Sequence, residues 1–177
     1  ASGDSLRAID PASGDEVARM DVPGHAGSAF DGRHIFQIVE NEIWKIDPQS
    51  GETLGAIPTP SDGVSGMAWA EGALWVGEYR AGRIHQVDPE TGAVLRVIEC
   101  KRLVTGVTWV DGELWHGVWE GEDSELRRID PQSGEGLERI EMPPGARVSG
   151  LESDGEGRFF CGGGPSGKVR VVRRPGR

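Results

Sequence analysis

A six-residue string, Ile-Asp-Pro-x-Ser-Gly, returns along this chain and limits its possible folds more than any other feature. It stands at residues 9–14, 46–51 and 129–134, with a Val-Asp-Pro-Glu-Thr-Gly variant at 87–92, so the spacings are 37, 41 and 42 residues. A second signature keeps step with the first. Gly66-Met67-Ala68-Trp69 and Gly106-Val107-Thr108-Trp109 lie 40 apart, as do Gly72-Ala73-Leu74-Trp75 and Gly112-Glu113-Leu114-Trp115. A weaker copy, Ser28-Ala29-Phe30-Asp31-Gly32 with Ile35-Phe36, precedes them, and a decayed copy, Ser149-Gly150-Leu151 with Phe159-Phe160, follows. Self-similarity at a period of roughly 40 residues marks repeat architectures, in which each unit buries its apolar face against the next.

Within one unit the pattern is four short strands. In the best copy, strand a covers 64–70 and ends at the Glu71-Gly72 turn, strand b covers 73–78, strand c 83–87 and strand d 94–99. The Asp-Pro-x-Ser/Thr-Gly segment is the c–d hairpin: proline sets φ for the first turn position, Asp and Ser offer acceptors to loop amides, and glycine takes the left-handed position. The four Asp residues are therefore turn-formers rather than catalytic groups. Leu, Trp, Ile and Val occupy both faces of strands b and c, as strands sandwiched between neighbours require. The repeated Trp69/Trp109 and Trp75/Trp115 positions read as inter-blade packing. These features predict an all-β chain, a β-propeller of four-stranded blades.

The blade count is uneven. The chain opens with strands c and d over 5–22, continues with three full units, and closes with strands a and b and a c-like segment at 168–173 that lacks the Asp-Pro turn. Joining the ends gives about four blades in one domain, 1–177, with the shared fourth closing the ring by strand exchange. Alternatively the chain is a half-propeller and two copies close an eight-bladed ring as a homodimer, which also covers edge strands. A fragment of a longer propeller is the third arrangement. The homodimer is the favoured one.

Composition excludes several classes. The 28 Gly residues carry no three-residue period, so collagen is out, and six Trp with abundant Val, Ile and Leu argue against disorder. No apolar run approaches the length of a membrane span, so a soluble protein is expected, the cytoplasm its favoured compartment. A formal net charge of −10 disfavours nucleic acid and anionic membranes as partners. Cys100 and Cys161 show no bridge or metal-knuckle spacing.

The stretch from Gly66 to Tyr79, followed by Gly82-Arg83-Ile84 and by 87–92, resembles the blade repeat of the streptogramin (virginiamycin B) lyase group. It is also similar to SMP-30/gluconolactonase-like, glutamine-cyclotransferase-like and PQQ-repeat-like propellers. The resemblance covers nearly the whole chain and implies a propeller. For an enzyme of the lyase group it implies His and Glu residues around a metal at the central channel, and no matching His-to-Glu motif stands here.

Ligands of propellers sit at the channel end formed by the d–a and b–c loops. The d–a side supplies His25, Ser65, Arg102, Thr105, Arg147 and Ser149; the b–c side supplies Glu78, Tyr79, Trp119 and Glu120. The triplets Val64-Ser65-Gly66, Val104-Thr105-Gly106 and Val148-Ser149-Gly150 put one hydroxyl at the channel per blade, either to solvate strand ends or to orient a polar ligand. Arg102 and Arg147 suit a carboxylate or phosphate, unless loop glutamates neutralise them. His116 shares its position with Val76 and Cys161 and reads as packed; His85 lies mid-strand, away from the channel. His25 alone faces the site. With Glu78 or Glu120 it can act as a general base or bind a divalent ion, Ca or Mg, although no cofactor is demanded by the sequence. Two functions are compatible with this pattern. The favoured one is a binding module for a small polar or anionic ligand or a protein partner. The other is a metal-dependent lyase or lactonase acting at the same face with His25, Glu78 and Glu120.

Overall fold

The computed structural model describes residues 3–24, 26–164 and 167–176. Among them the chain is all-β, and it is a propeller. Strands β1 (Leu6–Ile9) and β2 (Glu16–Met20) form a hairpin of their own. The first full blade is β3 (Ser28–Phe30), β4 (Ile35–Val39), β5 (Glu42–Ile46) and β6 (Thr53–Pro58). The second is β7 (Val64–Ala70), β8 (Ala73–Glu78), β9 (Arg83–Val87) and β10 (Val94–Glu99), with the bounds expected from the repeat. The third is β11 (Val107–Val110), β12 (Glu113–Glu120), β13 (Asp123–Ile129) and β14 (Gly136–Glu141). The last sheet has three strands, β15 (Gly150–Ser153), β16 (Arg158–Gly162) and β17 (Val169–Arg173). All pairings are antiparallel between sequence neighbours.

The Asp-Pro turns are built as their chemistry demands. Asp88 Oδ1 accepts the amides of Glu90 at 2.9 Å and Thr91 at 2.8 Å, and Asp10, Asp47 and Asp130 repeat the arrangement. Gly92 closes the loop at φ +74°, a conformation any side chain would strain. Each of these hairpins carries a register shift on the strand that leaves the turn, where Val17, Leu54, Leu95 and Leu137 are passed over in the pairing. Backbone amides in turn hold the carboxyls of Asp47, Asp88 and Asp130 below the usual aspartate value.

The core lies between blades. Phe36 stacks on Trp69 with ring centroids 5.5 Å apart, Trp75 meets Trp109 at 5.0 Å, and Trp115 meets Phe159 at 4.9 Å. The repeated tryptophans are thus the inter-blade packing expected of them. Where the inner strands converge, only glycine fits. A Cβ on Gly27 would come within 2.5 Å of the Met67 amide, one on Gly66 within 2.4 Å of the Val107 amide, and one on Gly106 within 2.3 Å of the Leu151 amide. Gly150, the fourth of the series, meets nothing closer than the Gly162 carbonyl at 4.0 Å. The inner strands therefore form an open succession, and the two chain ends do not merge into one blade: β1–β2 and β15–β16–β17 are separate sheets. The hairpin packs Leu6 and Val22 against Ile46 of the first blade, with Ile35 and Trp44 alongside.

Candidate functional site

The d–a and b–c loops share one face, tied together by main-chain bonds. The Tyr79 amide donates to the Gly63 carbonyl at 2.9 Å, and the Val104 amide donates to the Tyr79 carbonyl at 3.2 Å. Tyr79 and Trp119 hold the same repeat position, just beyond Gly77 and Gly117, and so fall side by side on successive blades. The Tyr79 hydroxyl donates to the Trp119 carbonyl at 3.3 Å, and the Trp119 indole donates to the Gly121 carbonyl at 2.9 Å. Over the Trp119 ring lies the Arg147 guanidinium of the next d–a loop, 5.0 Å from the ring centroid. Three blades thus contribute one aromatic ledge capped by a cation.

The two arginines expected to converge differ in state. Arg102 is bound through both forks to Glu120, Nε to Oε1 and Nη2 to Oε2 at 2.9 Å each, with Glu125 at 3.8 Å. The pair holds the Glu120 carboxyl below and the Arg102 guanidinium above their ordinary values. Loop glutamates therefore neutralise Arg102. Among the described residues Arg147 has no carboxylate partner, only the indole face.

The three hydroxyls of the repeated triplets serve the framework in two cases. Ser65 Oγ donates to the Val104 carbonyl at 2.8 Å and Ser149 Oγ to the Gly162 carbonyl at 3.3 Å. Thr105 Oγ1 is buried and has no partner among the described residues. His25 lies outside the described residues. Glu78 is at the end of β8, where its carboxylate meets His85 Nε2 at 2.9 Å, both side chains being mostly buried. This pairing was not visible in the sequence, where His85 read as remote; the cross-strand neighbours Val76–His85 and Glu78–Arg83 put His85 one step from Glu78 on a twisted hairpin. Among the described residues no three of His, Cys, Asp and Glu converge as a metal site. Glu78 and Glu120 are each engaged by another side chain, His85 and Arg102.

Two further groups matter. His116 is fully buried, with Nδ1 bonded to the Gly117 carbonyl at 3.1 Å and Nε2 unpartnered; burial pushes its pKa down to about 4. It is a packed histidine, as its repeat position suggests. Glu152 was missed, although the register aligns it with the small residues Ala29, Ala68 and Thr108, an abrupt change that marks it. Its carboxylate accepts from Thr108 Oγ1 at 2.7 Å and from the Ser153 amide at 2.9 Å. It touches water yet is ringed by protein, and this desolvation raises its pKa against both hydrogen bonds. Both cysteines are free and buried, their thiols pushed up to about 12 for Cys100 and about 11 for Cys161. No helix among the described residues is long and apolar enough to cross a membrane.

No protein-family model matches the sequence, and no curated protein matches it either. Solved structures do. The chain superposes on a glutaminyl cyclase from Myxococcus xanthus with a TM-score of 0.74 and 17% identity, covering 96% of this chain and 82% of that one. A chain of the hydrazine synthase of Kuenenia stuttgartiensis matches at 0.55 and 18% identity, over 89% of this chain and 49% of that one. A chain of a mitotic checkpoint complex matches at 0.58 and 16%, over 96% and 58%. At such identities the likeness shows the fold: a β-propeller structurally related to a glutaminyl cyclase.

Proposed function

We propose that this propeller is a binding module whose loop face holds a small anionic ligand, a carboxylate or phosphate carried on a flat or apolar body. The observation that supports it is the Arg147 guanidinium resting on Trp119 beside Tyr79. A cation without a carboxylate partner, above an aromatic surface, offers charge and stacking to one ligand. Arg102 does not join it as an anion ligand, because Glu120 already takes its donors. Its part is to hold the 102–104 loop in place, helped by the Leu103 amide donating to Glu120 Oε1 at 3.2 Å. The metal-dependent lyase or lactonase is the weaker alternative, since no donor set supports it among the described residues. The module works as a ring-closing homodimer.

Titration with inorganic phosphate, citrate and an aromatic carboxylate, followed by tryptophan fluorescence, tests the site. Binding of at least one probe is expected, with quenching absent in Trp119→Phe and affinity at least tenfold weaker in Arg147→Ala. Unchanged binding in both variants would overturn it, as would no binding of any probe at millimolar concentration.

A further inference from the structure

At one repeat position the inner strands carry Ala29, Ala68 and Thr108, each cross-strand from the packed aromatic residue of its own sheet, Phe36, Trp75 or Trp115. The fourth copy is Glu152, cross-strand from Phe160. A carboxylate packed into such a joint without a partner would be costly, and only a counter-charge or water relieves that cost. The space beside Glu152 is not packed shut. A groove of about 250 Å³ lies there between the last sheet, the first blade and the β1–β2 hairpin, lined by Glu152 with Leu6, Met20, Ala29, Phe30 and Ile35.

The carboxylate is only half engaged. Both of its hydrogen bonds, from Thr108 Oγ1 at 2.7 Å and from the Ser153 amide at 2.9 Å, end on Oε1, and no described residue donates to Oε2. Arg7, the cation on the border of the groove, pairs with Glu16 at 3.5 Å instead. Desolvation raises the carboxyl's pKa in spite of the two bonds, as expected of a carboxylate short of positive charge. The facing walls are mostly apolar, and Phe30 among them is 55% exposed. One negative group with a free oxygen, set among apolar walls, selects a single cation carried on an apolar body.

We propose that this groove binds a small primary ammonium compound, its charge on Glu152 Oε2 and its apolar body against Leu6, Met20 and Phe30. The size is suitable: an apolar cavity of about 150 Å³ holds a benzene ring, and the rest of this groove takes a short ammonium arm. A primary ammonium suits it better than a guanidinium, because a single free oxygen offers a point charge rather than a fork. None of the lining residues belongs to the Arg147–Trp119 ledge, so the two sites are independent.

Isothermal titration calorimetry with phenethylamine, and with the uncharged phenethyl alcohol, tests this on the wild-type chain, Glu152→Gln and Ala8→Phe. The Gln amide oxygen keeps the bonds from Thr108 and Ser153, and Ala8 is exposed on the edge of the groove, so both variants keep the wild-type circular dichroism. Wild type is expected to bind the amine about tenfold or more tighter than the alcohol, the ordinary gain from a hydrogen bond between charged groups. Glu152→Gln loses that preference, and Ala8→Phe weakens both ligands. Nonspecific attraction of a cation to a chain of net charge −10 survives in Glu152→Gln, so amine binding of full strength there overturns the assignment. Amine binding unchanged in Ala8→Phe overturns the groove as its place. Equal binding of amine and alcohol to wild type overturns the role of the carboxylate, and no binding of either at millimolar concentration overturns the site; both of these results come from the wild-type chain and need no variant to fold. Arg147 and Trp119 enter none of these outcomes.

Discussion

Four glycines occupy one repeat position, yet alanine is expected to act on them very differently. None takes a positive φ, so steric space alone decides. At Gly106 the new methyl would stand 2.3 Å from the Leu151 amide nitrogen and 2.6 Å from Leu151 Cβ; at Gly66 it would stand 2.4 Å from the Val107 amide nitrogen and 2.5 Å from the Thr105 carbonyl oxygen. Ordinary carbon contacts need roughly 3.5 Å or more, so about 1 Å of movement must be found in the backbone of an adjacent blade. Overpacking of side chains that can rotate away costs about 1–3 kcal/mol, and backbone cannot rotate away, so Gly66→Ala and Gly106→Ala are each expected to cost about 3 kcal/mol or more. Gly150→Ala meets only an oxygen at 4.0 Å. There the lost freedom of the unfolded chain dominates, and the monomer gains up to about 1 kcal/mol. Urea unfolding followed by tryptophan fluorescence, at concentrations dilute enough to hold single chains, measures the difference. Equal effects at Gly106 and Gly150 would refute the claim that the inner succession is closed at one and open at the other.

Other consequences are quickly checked. His116 has a pKa near 4 when folded against about 6.5 when exposed, so the unfolded chain binds the extra proton between those values. Its contribution is whole above about pH 6.5 and is lost as pH falls toward 4, by up to about 3 kcal/mol; His116→Val, the residue of the neighbouring blade, should flatten that slope in urea titrations at several pH values. Asp88→Ala and Asp130→Ala should each lower the melting temperature at neutral pH, and less so in acid, because a carboxylate held below its ordinary pKa stabilises above that pKa and ceases to as pH drops through the lowered value; an unchanged melting temperature at pH 7 would contradict the turn chemistry. Cys100 and Cys161 should react with a thiol reagent at neutral pH only on unfolding, and fast labelling of the native protein would show that either is not buried.

The blades were legible because their determinants are local. Asp-Pro-x-Ser-Gly encodes a hairpin without help from distant residues, and the strand bounds of the second blade follow from alternation and turn chemistry alone. The site was legible only in outline. Tyr79 and Trp119 could be placed on the loop face by register, but that Arg102 is spent on Glu120 while Arg147 is not depends on loop paths no repeat specifies. Glu78 read as a loop carboxylate because strand twist, which brings His85 beside it, has no signature in sequence spacing. Glu152 escaped because a single departure from a repeat looks like decay until the neighbouring Thr108 is seen to bond it. The state of the ends was hidden for the same reason: Phe30 follows the pattern of Trp69 and Trp109, and only its exposure of 55% sets it apart from those packed positions.

The nearest-neighbour arrangement of the blades also governs how the molecule comes apart. Each sheet is stabilised by the one before and the one after it, so cooperativity runs along the chain as in a linear array, and the outermost units hold on by a single side. The β1–β2 hairpin and the β15–β17 sheet should lose amide protection first, while β7 to β14 exchange only with global opening.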